Sequence, residues 1–159
     1  MPLWNIEKNI CFFVDLPILI RRRVEGEIMN STTERIPTVK YMLLIYDKEQ
    51  DWAKLSEAEQ RQVYGEYMKF TEGIIASGNY LAGAQLHPIA TASSVRVRDG
   101  KELVTDGPFA ETHEQLGGYY LIEARSLDEA TSIAARIPSS RFGTVEVRPV
   151  VERQAEATA

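Results

Sequence analysis

Cysteine is nearly absent: Cys11 stands alone among 159 residues. One thiol can form neither an intramolecular disulfide nor a Cys-based metal site, and its isolation suits a reducing cytoplasm. Histidine is almost as scarce, His87 and His113 being the whole supply. Neither stands at a recognised ligand spacing from Asp106 or Glu111, so no metal and no cofactor is expected. The chain has no Gly-rich phosphate loop, no G-x-S-x-G elbow and no activated cysteine. No apolar run approaches the roughly 18 residues that a membrane-spanning helix needs. Positive charge is also short, with 18 basic against 23 acidic side chains and a net charge of −5. Residues 1–38 hold five of each sign, so the acidic excess lies entirely beyond them. Arg21, Arg22 and Arg23 form the single basic run, which argues against a nucleic-acid partner.

What is present describes a soluble domain with a proper core: 44% apolar and 26% charged residues, in a length that suits one domain. Residues 10–20 (ICFFVDLPILI) are apolar, but Asp15 and Pro17 interrupt them and the arginines follow rather than precede them. That order is wrong for a signal peptide. Residues 1–38 are therefore expected to be a poorly ordered extension ending in a polar linker, with the domain at residues 39–152 and a polar tail at 153–159.

Within the domain, hydrophobic periodicity sets the elements. Residues 39–46 (VKYMLLIY) predict a strand apolar on both faces: Val39, Tyr41, Leu43 and Ile45 on one, Met42, Leu44 and Tyr46 on the other. Such a strand needs both faces covered. Ser56 and Glu59 make a capping box, after which Val63, Tyr67, Phe70 and Ile74 recur at helical spacing until Gly78-Asn79. Residues 80–85 predict a short strand broken by His87-Pro88. The alternating segments on either side of Asp99-Gly100 predict a hairpin with a type I′ turn. Residues 118–123 predict another strand, Gly117 and Gly118 allowing close backbone approach. Ser126 and Glu129 make a second capping box before a short helix that Pro138 ends. Residues 144–151 predict a last strand, placed at a sheet edge by Pro149. The order is β-α-β, an inserted hairpin, then β-α-β: an α+β, ferredoxin-like βαββαβ fold. Its uncovered sheet face predicts a homodimer.

The stretches KYMLLIYDKEQDWAKL, SSVRVRDGKELVTDGPFAETHEQLGGYYLIEA and ARIPSSRFGTVEVRPVVE resemble the YCII-related, DGPF-domain family. The resemblance covers about three quarters of the chain, from Val39 to Glu152, and TDGPFAET-x-EQLGGYYLI is its most specific part. It implies a small bacterial protein that forms a dimeric α+β barrel, in a setting linked to sigma factors or stress. Activity in the wider superfamily goes with a His–Asp pair on and just after the first helix. Aligned on Gly78, this sequence has Tyr67 and Ala76 at those positions, so that pair is lost and enzymatic activity is left open.

The stretch Asp106-Gly107-Pro108-Phe109 is first read as a structural turn, with the Asp106 carboxylate taking backbone N–H groups and Phe109 plugging the core. Its functional reading is a ligand site built from Asp106, Gly107, Pro108, Phe109, Glu111, His87 and Gln115. His113 is the imidazole of this stretch, but relatives often carry lysine there, so no proton-shuttle role is expected of it. Glu72 lies beside the apolar stripe of the long helix, where partial burial would raise its pKa and make it, with Asp106, a candidate acid–base group. The expected function is binding of a small molecule in a cleft near the DGPF loop. The alternatives are an acid–base enzyme using Asp106 and Glu72, and a protein–protein regulatory module.

Overall fold

The computed structural model describes residues 37–152. The expectations for residues 1–36 and for the tail at 153–159 lie outside the described residues. Strand β1 (Val39–Asp47) runs into a short helix α1 (Glu49–Trp52) and the long helix α2 (Glu57–Ala76), followed by β2 (Tyr80–Gln85). The hairpin β3 (Ser93–Arg98) and β4 (Lys101–Asp106) comes next, then β5 (Gln115–Ala124), α3 (Leu127–Ala134) and β6 (Thr144–Pro149). Four strands form an antiparallel sheet in the order β2-β5-β1-β6, while β3 and β4 pair only with each other. This is the split βαβ arrangement, with the hairpin inserted between its halves. Among the described residues the sheet closes no barrel.

The core follows from strand parity. Tyr41, Leu43 and Ile45 of β1 and Tyr120, Ile122 and Ala124 of β5 are buried, as are Phe70 and Ile74 of α2 and Ala130, Ile133 and Ala134 of α3. Both long elements of helix thus cover one face. Tyr120 sits at the centre, its ring edge-on to Phe70 at 5.2 Å and its hydroxyl 2.9 Å from Thr71 Oγ1. That bond lets a phenol be buried completely without an orphaned donor. On the opposite face Met42, Leu44, Tyr119 and Leu121 are only half-buried.

Helices α2 and α3 are capped at the predicted serines, but the second capping box is only half formed, because the Glu129 carboxylate accepts from Arg125 N instead of Ser126 N. Ser56 and Glu59 complete the reciprocal capping box of α2, and the Ser126 side chain accepts from Glu129 N at the start of α3. Asp99 (φ 50°) and Gly100 (φ 73°) take the left-handed values of a type I′ turn. Three further details differ from expectation. The short helix α1 escapes a periodicity argument because it is a single turn. Strand β5 begins at Gln115 rather than Gly118, because Gln115 and Leu116 pair with the end of β1. Helix α3 ends before Pro138, which opens a 3-10 turn at Pro138–Arg141 instead. Pro149 lies on β6, an edge strand, where its missing N–H costs no ladder bond.

Close approach between β2 and β5 depends on Gly118, where an added Cβ would lie 2.8 Å from the Ala84 carbonyl oxygen. Gly118→Ala is therefore expected to push β2 off the sheet and cost on the order of 1–3 kcal/mol. Thermal unfolding followed by circular dichroism checks this, and an unchanged midpoint would show that the edge strand yields freely.

Candidate functional site

Strand parity carries β1 one residue further than its apolar run. After Tyr41, Leu43 and Ile45, the next residue on the helix-covered side is Asp47, a carboxylate where the pattern calls for an apolar side chain. A register shift between Ile45 and Tyr46 leaves Gly117 of β5 as the extra residue. A bulge of this kind re-aims the side chains beside it. A Cβ on Gly117 would stand 3.4 Å from Asp47 Oδ1, so glycine leaves that oxygen open space. On the other side, a Cβ on Gly143 would collide with the Tyr46 carbonyl oxygen. Only glycine there lets the chain entering β6 come close enough to bring Ser139 and Phe142 to Asp47.

The carboxylate is held from behind by a chain of hydroxyls. Ser139, 2% exposed, donates from Oγ to Asp47 Oδ2 at 3.2 Å. The Tyr67 hydroxyl lies 2.7 Å from the same Ser139 Oγ, so Tyr67 can donate to Ser139 while Ser139 donates to Asp47. Burial raises the Tyr67 pKa; the Ser139 bond opposes this and the Asp47 charge reinforces it. The phenol therefore stays protonated and able to donate. Burial likewise raises the Asp47 pKa against the pull of its Ser139 bond, with the Glu114 and Glu49 charges adding to the rise.

In front of Asp47 lies a cleft of about 450 Å³ lined by Trp52, Leu55, Val63 and Phe142, with Lys48, Asp51, Glu59 and Gln62 among its polar groups. That volume falls within the range of small-molecule sites. Trp52 is fixed edge-on against Tyr64 at 5.3 Å, and the Gln60 side chain ties down the turn between α1 and α2 by donating to the Trp52 and Leu55 carbonyls. Phe142 is 53% exposed. A shallower groove near Ser77, Asn79 and Glu129 is already satisfied, because Arg125 pairs with Glu129 at 2.9 Å and Asn79 donates to the Glu123 carbonyl.

The residues singled out from sequence distribute differently. Asp106 ends β4 on the exposed hairpin, and no described residue bonds to its carboxylate. The turn is instead closed by backbone and Ser94, with Gly107 N donating to Ala92 O and Ser94 Oγ to Gly107 O. Phe109 does not plug the core; it is 78% exposed. Glu72 is on the solvent side of α2 rather than partly buried, since the turn of the helix that faces the sheet is occupied by Phe70 and Ile74. Asp106 and Glu72 share no partner, and neither lines either cleft. His87, Pro108 and Glu111 are exposed as well. Gln115 alone reaches the Asp47 end of the sheet, where its Oε1 accepts from Glu49 N at 3.2 Å and its Nε2 donates to Thr112 O at 2.6 Å. Among the described residues no group of three or more His, Cys, Asp or Glu side chains is placed to hold a metal ion. No helix among them is long and apolar enough to cross a membrane.

The sequence pattern of the YCII-related domain matches residues 39–154. The chain belongs to the YCII-related family. It is also 36% identical over 112 residues to an uncharacterised protein of Rhizobium meliloti (strain 1021), a match covering 69% of this chain and 90% of that protein. In this YCII-related chain the Tyr67 phenol is the far end of the hydroxyl chain to Asp47.

Asp47 also makes a stability prediction. Its folded pKa lies above its unfolded value, so the fold favours the neutral acid. Ionised Asp47 is therefore a cost at neutral pH, relieved as pH falls through the raised value toward the unfolded one. Asp47→Asn keeps an acceptor for Ser139 and removes the charge. The variant should be at least as stable as wild type near neutrality, and that advantage should shrink steadily in acid. Melting both proteins across this range checks it; a large neutral-pH loss in the variant would mean that the charge itself holds the fold.

Proposed function

We propose that this YCII-related protein is a homodimer that binds a small organic molecule in the cleft headed by Asp47. The observation that carries the reading is a half-buried carboxylate, held from behind by two hydroxyls, with no cationic partner among the described residues and an aromatic-walled cleft in front of it. A structural carboxylate at a sheet end would be paired or solvated; one kept half-desolvated beside empty apolar walls suits recognition. The site adjoins the Gln115 end of the DGPF loop rather than residues 106–109. The family resemblance supports a sensor or accessory role in a bacterial cytoplasm, linked to sigma factors or stress.

The dimer reading rests on the sheet face that no described helix covers. Met42 pairs with Leu121 and Leu44 with Tyr119 in the β1–β5 ladder, making one contiguous apolar patch. Charged pairs stand at the margin, Glu146 with Arg148 and Lys40 with Glu152. An apolar centre with a charged rim suits a twofold sheet-to-sheet interface, and a second open sheet would complete a barrel.

Leu44→Asp is expected to give a monomer by light scattering where wild type is a dimer; a monomeric wild type at micromolar concentration sinks the interface. Binding is tested by an NMR fragment screen, in which hits should shift the signals of Trp52, Leu55 and Phe142 and weaken in Phe142→Ala. Hits that shift only the hairpin and Phe109 would move the site back to the DGPF turn.

A further inference from the structure

We propose that the ligand of the Asp47 cleft is an organic ammonium compound, a primary or secondary amine on an aromatic or otherwise apolar body. The inference rests on the binding reading above and adds the charge and class of the ligand.

The carboxylates around the cleft are not equivalent. Glu49 Oε2 accepts from Ile89 N at 3.3 Å. Asp51 is paired with Lys54 at 2.7 Å. Glu59 takes both the backbone N–H and the hydroxyl of Ser56. Each of these acids is already used in the fold. Asp47 differs, because Oδ2 takes the Ser139 hydroxyl while Oδ1 has no hydrogen-bond partner among the described residues and faces the bare Cα of Gly117.

The charge of the missing partner follows from what surrounds that oxygen. Burial and the Glu114 and Glu49 charges all disfavour ionised Asp47. A cation offsets these contributions by direct attraction, whereas a neutral donor would satisfy the oxygen and leave the charge. A carboxylate or phosphate would add a further like charge. Lys48 is the group that speaks for an anion, but it is exposed at the rim. The walls agree with the charge: Trp52 and Phe142 present aromatic surface beside the carboxylate, and ring faces attract ammonium groups. Leu55 and Val63 give an apolar body something to cover.

The charged and titratable groups facing Asp47 come from four directions. They are Lys48, Glu49 and Asp51 at α1, Glu59 and Tyr67 on α2, Glu114 ahead of β5, and Arg141 on the 3-10 turn. The Arg141 guanidinium is held by Glu66, whereas burial and the neighbouring acids favour neutral Asp47, whose Oδ1 has no hydrogen-bond partner among the described residues. Amine affinity should therefore fall as pH is lowered through the Asp47 pKa.

Calorimetric titration of the full chain with phenethylamine, phenethyl alcohol and hydrocinnamate tests the inference, since the three share one body and differ in charge. Phenethylamine should bind about tenfold or more tightly than the alcohol, with hydrocinnamate weakest. Asp47→Asn should bring the amine down to the level of the alcohol, and a cooperative melt at or above the wild-type midpoint shows that the variant is folded. Ser139→Ala should reduce the preference without abolishing it, because the carboxylate remains but loses its fixed orientation. Equal binding of amine and alcohol, an amine preference that survives Asp47→Asn, or tightest binding of hydrocinnamate would overturn the ammonium inference and leave the cleft as a binding site. Failure of all three compounds to bind at millimolar concentration would overturn both.

Discussion

The ladder between β1 and β5 is the constraint on which the rest of the domain depends. It places Leu43 opposite Tyr120 and Tyr41 opposite Ile122 on the helix side, and those residues form the floor of the core. It also fixes the opposite face, where Met42 meets Leu121 and Leu44 meets Tyr119. A one-residue slip would exchange these two sets and destroy both surfaces. The ladder tolerates a single irregularity, the extra Gly117, and Asp47 lies directly beside it. The place where the pairing relaxes is therefore the place where a polar group enters the core side of the sheet.

The fold was legible because most of its elements announce themselves locally, the single turn of α1 being an exception. Ser56 with Glu59 and Asp99-Gly100 each specify one conformation through one hydrogen-bonding or steric requirement, and both are met, while Ser126 caps α3 with the Glu129 carboxylate turned to Arg125 N. The alternation in β1 was equally plain. The candidate site was much less so. Asp106 and Phe109 stand in the most distinctive stretch of the sequence, yet that distinctiveness belongs to a turn closing an exposed hairpin. Asp47, Ser139 and Tyr67 come from three separate elements and have no mutual spacing to notice. One signal was available: Asp47 continues the odd-numbered, buried parity of Tyr41, Leu43 and Ile45, and a carboxylate in that position breaks the pattern. Glu72 failed for the reverse reason. Its place beside the apolar stripe of α2 left its exposure undecided until Phe70 and Ile74 were seen to fill the face against the sheet.

Local rules are broken in natural folds where something other than stability is served. Asp47 breaks such a rule, since an apolar residue would suit its position and the surroundings resist its charge. The hydroxyls of Ser139 and Tyr67 do not neutralise it; they orient it. Two glycines, Gly117 and Gly143, keep the space around it free of side chains. Four positions thus cooperate to present one carboxylate oxygen.

The same strand then serves two surfaces that do not compete. Odd-numbered residues of β1 lead from the core to Asp47 and the cleft, while even-numbered residues supply the patch assigned to the second subunit. The bulge is where the two meet, because Tyr46 and Asp47 are neighbours in the chain and point to opposite faces. A partner packed on Tyr46 would hold the end of β1 in place, and with it the direction of the Asp47 carboxylate. In the dimer reading, association would therefore sharpen the geometry of the cleft without contributing any residue to it.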